Sequence, residues 1–101
     1  MHIQIINFQL AGVTEGEYAA LCDQLAPAFA AVPGLVRKVW LADSDAGTYG
    51  GAYVWRDQQA MEDFAKTELF ESVVNHPALT NITSKDFGVL EGPTQVTRGS
   101  I

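Results

Sequence analysis

An α+β fold, one antiparallel sheet threaded β-α-β-β-α-β with both helices on one face, is predicted by three features of the sequence. Residues 33–56 read as two consecutive strands, Pro-Gly-Leu-Val-Arg-Lys-Val-Trp-Leu-Ala and Thr-Tyr-Gly-Gly-Ala-Tyr-Val-Trp-Arg, joined by a polar Asp-Ser-Asp-Ala-Gly turn. Helical apolar stripes flank this hairpin on either side, and a further strand pattern lies beyond each of them. Apolar or aromatic side chains fall on both parities of the hairpin, so each face of the ribbon needs a cover. The helices can supply one cover, and a second copy of the chain most simply supplies the other.

The first strand is Ile3–Leu10, where Ile3, Ile5 and Asn7 alternate with Ile6, Phe8 and Leu10. Ala11-Gly12-Val13 ends it. Thr14 followed by Glu17 is a capping box that opens the first helix, whose stripe runs Tyr18, Leu21, Cys22, Leu25, Phe29 and Val32. Pro27 lacks an amide hydrogen, and a kink near residues 23–27 is expected; Pro33-Gly34 stops the helix. The hairpin strands follow at 35–42 and 48–56. Asp57 can cap a second helical stretch through Ala60, Met61, Phe64 and Ala65; Thr67 restarts the pattern with Leu69, Phe70, Val73 and Val74, and Pro77 ends it at His76. Residues 80–90 read as the fourth strand, and 91–101 as a tail with a short strand expected at 94–97. This order is the ferredoxin-like arrangement. Its helix-free face, read as Ile5, Val36, Trp40, Val54 and Val89, would be buried by stacking two sheets into a dimeric barrel.

At 101 residues the chain is expected to form a single domain whose burial is incomplete without a partner. Twelve acidic against six basic residues give a net charge of −6 with no basic stripe, which disfavours nucleic acid and anionic membrane. No apolar run approaches the ~20 residues of a membrane span, and the first residues lack the basic flank and cleavage site of a signal peptide, so a cytoplasmic protein is expected. Cys22 is the only cysteine and reads as a small core residue.

Pro33-Gly34-Leu35, Lys38-Val39-Trp40, Gly50-Gly51-Ala52-Tyr53-Val54 and the helix after them resemble the YdhR-like family of proposed monooxygenases, within the dimeric α+β barrel superfamily. The resemblance is best over residues 30–65. It implies a barrel dimer with one pocket per subunit between sheet and helices. The superfamily also holds cofactor-free monooxygenases that oxidise phenols to quinones, muconolactone-isomerase-like enzymes and heme-degrading enzymes. The heme-degrading pattern fits poorly: Asn7 matches its asparagine, but Phe64 stands at its tryptophan and Val74 at its iron-ligating histidine, with His76 turned to another helix face.

Oxygenation without a cofactor needs a slot for a flat electron-rich substrate, a base, and exclusion of water. Trp40, Tyr49, Tyr53, Trp55, Phe64 and Phe70 are candidates for the slot, though each could equally be an ordinary core or interface aromatic. Asn7 is a polar residue on an apolar strand and a candidate for ligand contact. His76, the only histidine away from the N-terminus, is the first candidate base because histidine is the side chain suited to proton transfer at neutral pH, against a plainer role at a helix C-terminus. Asp86, beside Phe87, is the second. Arg37 and Lys38 alternate, so one should face inward or across the dimer interface; a phenolate or carboxylate ligand would suit that charge, but a salt bridge with an acidic residue is the expected use. Gly50-Gly51 marks a bulge or close backbone approach rather than a phosphate loop, and no metal-ligand spacing is present. The expectation is thus a homodimer that oxygenates a small aromatic or polycyclic compound with no cofactor and no metal. The rival readings are a non-catalytic small-molecule binder or stress-associated barrel protein, and an isomerase or lyase on the same scaffold.

Overall fold

The computed structural model, which describes residues 1–100, has the predicted ferredoxin-like order. It runs β1 (His2–Leu10), α1 (Glu15–Ala30), β2 (Leu35–Asp43), β3 (Thr48–Trp55), α2 (Gln58–Phe64), α3 (Glu68–Val74), β4 (Leu79–Gly88) and α4 (Glu91–Val96). The four strands form one antiparallel sheet in the order β2-β3-β1-β4.

Register decides which side chains meet the helices. Ile6 pairs with Gly51 and Phe8 with Tyr49 between β1 and β3, while Lys38 pairs with Tyr53 and Trp40 with Gly51 between β2 and β3. Paired residues share a face, and on this face Ile6, Phe8, Tyr49, Tyr53 and Trp55 are buried against Tyr18 and Phe29 of α1 and Ala60 and Phe64 of α2. The opposite face carries Ile3, Ile5, Val39, Val54 and Phe87, with Val39 55 % and Phe87 54 % exposed. Trp40 is therefore not on the helix-free face where the sequence reading put it. It shares the parity of Lys38, and its ring meets Phe29 edge-on at 5.3 Å. Val36 falls at a bulge between Leu35 and Arg37 and drops out of the pairing, and Val89 lies beyond the end of β4.

Local chemistry accounts for the helix boundaries. The Thr14–Glu17 capping box forms with both bonds in place, at 2.9 and 3.1 Å. Helix α1 runs unbroken through Pro27. The second helical stretch is two helices: Asp57 caps α2 and Thr67 caps α3, with the Thr67 hydroxyl accepting from Phe70 N–H and donating to Phe64 O. The strand expected at 94–97 is instead the last turn of α4. Pro93 has no amide hydrogen to give a ladder but is tolerated in a helix's first turn, where that hydrogen would be unpaired.

Two adjacent glycines thin the sheet at its centre. Gly50 has φ +149°, and a Cβ there would stand 1.8 Å from the Ile6 carbonyl oxygen, so only glycine permits this strand approach. Gly51 faces the helices, where a Cβ would lie 2.9 Å from Lys38 Cε and 3.0 Å from the Tyr53 ring. The missing side chain makes room for the lysine stem.

Candidate functional site

Between the sheet and the helices lies a cavity of about 180 Å³. Its floor is the sheet around Phe8, Lys38, Trp40, Gly51 and Tyr53, one wall is α1 through Tyr18, Cys22 and Phe29, and the other is Ser72 and Val73 of α3 with His76 and Leu79 beyond it. The lining contains no Asp or Glu among the described residues.

Lys38 extends into this space because strand alternation turns it to the helix side and Gly51 leaves its stem a path. Its Nζ sits 3.3 Å from the Phe29 ring centroid, 3.4 Å from Trp40 and 4.7 Å from Tyr53. Among the described residues it has no ion-pair partner. The salt bridge expected for this pair is thus not formed by Lys38, while Arg37 is exposed on the other face. Burial pushes the Lys38 amine down to about 7. The ring faces act the other way, favouring the ammonium, so the group can exist in either form near neutral pH. The surrounding acids stay protonated: burial pushes the Tyr53 and Tyr18 phenols upward, with a hydrogen bond to Cys22 adding to the shift at Tyr18, and burial likewise raises the Cys22 thiol.

His76 borders the cavity from the segment between α3 and β4. Its Nδ1 accepts from the Ala78 backbone N–H at 3.1 Å. In a neutral ring this assigns the hydrogen to Nε2, making His76 a donor toward any ligand.

The six candidate aromatics divide. Trp40 and Tyr53 line the cavity. Trp55, Phe64 and Phe70 form a packed cluster beside it: Trp55 is fully buried, donates from Nε1 to Gln4 at 3.0 Å and lies 5.2 Å from Phe64, and Phe70 meets Phe64 edge-on at 5.4 Å. Tyr49 lies toward the start of α1, where its hydroxyl donates to Glu15 at 2.8 Å and its ring meets Tyr18. Asn7 points to the helix-free face and donates to the Tyr49 carbonyl at 3.3 Å. Asp86 does not meet His76. It pairs with His2 Nε2 at 2.6 Å at the far end of β4, about 23 Å along the strand from Leu79. Lys38, for which the sequence favours a salt bridge over an anionic ligand, is the inward-facing member of the Arg37–Lys38 pair and lines the cavity. Its shared parity with Trp40, across from a glycine, is the signal that marks it.

The family model described as "Putative mono-oxygenase ydhR" matches residues 3–100. The chain belongs to the ydhR family. No curated protein matches this ydhR-family sequence. Solved structures share its fold at low identity. A mutant form of SnoaB, a cofactor-independent oxygenase from Streptomyces nogalater, is 24 % identical with a TM-score of 0.68, covering 89 % of this chain and 94 % of that one. The heme-degrader MhuD of Mycobacterium tuberculosis, with two hemes bound, is 17 % identical with a TM-score of 0.72, covering 89 % and 96 %. An antibiotic biosynthesis monooxygenase, so described provisionally, from Deinococcus radiodurans is 14 % identical with a TM-score of 0.72, covering 88 % and 92 %. No helix of the described residues is long and apolar enough to cross a membrane, and no three His, Cys, Asp or Glu side chains among them come together as a metal site requires.

Proposed function

We propose that this ydhR-family chain is a cofactor-independent oxygenase of a small flat aromatic compound, working as a homodimer. The observation that carries the reading is the aromatic cavity with one amine, one imidazole and no carboxylate among its described lining residues. Trp40, Phe29 and Tyr53 supply faces and edges for a ring, and His76 offers a hydrogen-bond donor at the wall. A substrate anion formed there meets dioxygen, the oxidant, away from bulk water. Family membership and the fold shared with a cofactor-independent oxygenase support this chemistry.

Size narrows the ligand. A cavity near 180 Å³ is comparable to the roughly 150 Å³ that accepts benzene, which favours single-ring over polycyclic substrates. Heme, bound by one structural neighbour, is disfavoured by the residues present. By resemblance Val74 stands where the heme-degrading branch carries its iron-ligating histidine, and His76 Nδ1 accepts from the Ala78 N–H.

Oxygen consumption and product mass, measured with a panel of single-ring and fused-ring phenols, test the proposal. The expected result is uptake and an oxygenated product with single-ring members. Binding without uptake would make the chain a non-catalytic binder, and an isomeric product formed without oxygen would make it an isomerase or lyase; either result sinks the oxygenase reading.

A further inference from the structure

A cation enclosed by apolar surface normally has a counter-ion, because leaving it unpaired costs several kcal/mol. Lys38 has none. The titratable groups facing it are Tyr18 and Cys22 from α1, Tyr53 from β3 and His76 from beyond α3, and none of these is an anion at neutral pH. Three ring faces surround Nζ without accepting a hydrogen bond in the way a carboxylate would. The cavity is thus built around a nitrogen whose natural partner is absent from the described residues. His76 cannot play the same part while Ala78 N–H occupies its Nδ1 lone pair.

We infer that Lys38 takes the ligand's proton and then holds the resulting anion, so the substrate is a weakly acidic phenol or enol rather than a neutral arene. In this step the ligand O–H bond breaks and the amine lone pair forms a new N–H bond. The neutral pair becomes an ammonium–oxyanion pair, with no change in oxidation state and no net charge brought into the cavity. The rings of Phe29 and Trp40 then stabilise the new ammonium from two sides. His76, with its hydrogen on Nε2, can donate to the same oxyanion. This inference rests on the aromatic-ligand reading above and deepens it by naming the base and the acidity of the substrate.

The test uses 3-nitrophenol, whose anion alone is strongly coloured, at a pH slightly above neutral where the free probe is mostly in its acid form. Binding to the wild-type protein should produce the phenolate band without releasing a proton to solvent. Lys38→Met should bind the probe about tenfold more weakly and without the band. His76→Gln, though weaker in binding, should still show the band at saturation. Wild-type binding with the probe still in its acid form overturns the inference, as does a band that survives in Lys38→Met but disappears in His76→Gln. If Lys38→Met does not fold, the wild-type protein with ¹³C-methylated lysines serves instead: the Lys38 resonance should move to its charged position when the phenol is added, and a stationary resonance overturns the assignment. Failure of the two readings is distinguishable. No binding at all overturns both, whereas a phenolate band with no oxygen uptake across the phenol panel overturns only the oxygenase reading.

Discussion

Lys38 is held among ring faces with its amine pushed down to about 7, and that displacement should appear in the pH dependence of folding. In the unfolded chain a lysine titrates near 10.4, so between about pH 7 and 10 the unfolded state binds the extra proton and stability rises with pH. Below about 7 both states are charged and the full cost of burying the ammonium remains. Denaturant unfolding of wild type and Lys38→Met should therefore diverge: from pH 7 to about 9.5 the wild type should gain roughly 2–4 kcal/mol relative to the variant, the lower figure allowing for the rings' preference for the cation. A flat difference would mean that Lys38 stays charged in the folded protein across this range, as a hydrated lysine does. Gly51→Ala probes the same side chain from behind. Its methyl group would meet Lys38 Cε, a flexible partner, and press on the buried Tyr53 ring, so the expected outcome is a moderate loss of stability with a clear loss of phenol affinity. Gly50→Ala meets the Ile6 backbone instead, which cannot yield, and should cost several kcal/mol in urea titration. Such consequences were only partly readable beforehand. Glycine and lysine are visible in a sequence, but the pairing that sets Gly51 against Trp40 is a register, and register follows from the folded hairpin.

At the scale of elements, the cavity wall depends on a short joint between two helices of seven residues each. Thr67 accepts from Phe70 N–H and donates to Phe64 O, binding the start of α3 to the end of α2. Thr67→Ala should lower the unfolding free energy by about 1 kcal/mol in denaturant titration. It should also raise amide exchange in α3 ahead of the strands, because Ser72, Val73 and His76 are positioned from this helix. Thr67→Ser, which keeps the hydroxyl, should restore both. The elements themselves were largely legible: the capping box at Thr14, the turn residues at 43–47 and the restart at Thr67 are local signals, and the structure follows each of them. The C-terminal segment was not. Thr94–Thr97 has strand-forming residues, but Pro93 ahead of them suits the opening turn of a helix, and backbone preference outweighs side-chain type there. The placement of Asn7 and Trp40 failed for another reason. Strand alternation gives two sets of residues but not which set meets the helices, and on a strand apolar on both parities that choice is made only by packing.

For the whole molecule, the helix-free face sets the question of assembly. Ile3, Ile5, Val39, Val54 and Phe87 form a patch across the sheet, and stacking against the same patch of a second copy would bury it. Val39→Asp separates folding from association. Val39 is 55 % exposed in the single chain, so an aspartate there stays hydrated when the chain is alone. In a stacked pair the unpaired charge costs roughly 3 kcal/mol or more per copy. Sedimentation should show wild-type dimer and variant monomer with matching circular dichroism; a wild type that sediments as a monomer, or a variant that stays dimeric, removes the face-to-face barrel.

The cavity lies between sheet and helices, and the apolar patch proposed for stacking lies on the opposite face of the sheet. If two copies stack through that patch, the sheet separates their contact from the cavity, and ligand loading is expected to be independent of pairing. Saturation curves should be hyperbolic rather than sigmoidal, and a lone protomer should keep its intrinsic affinity.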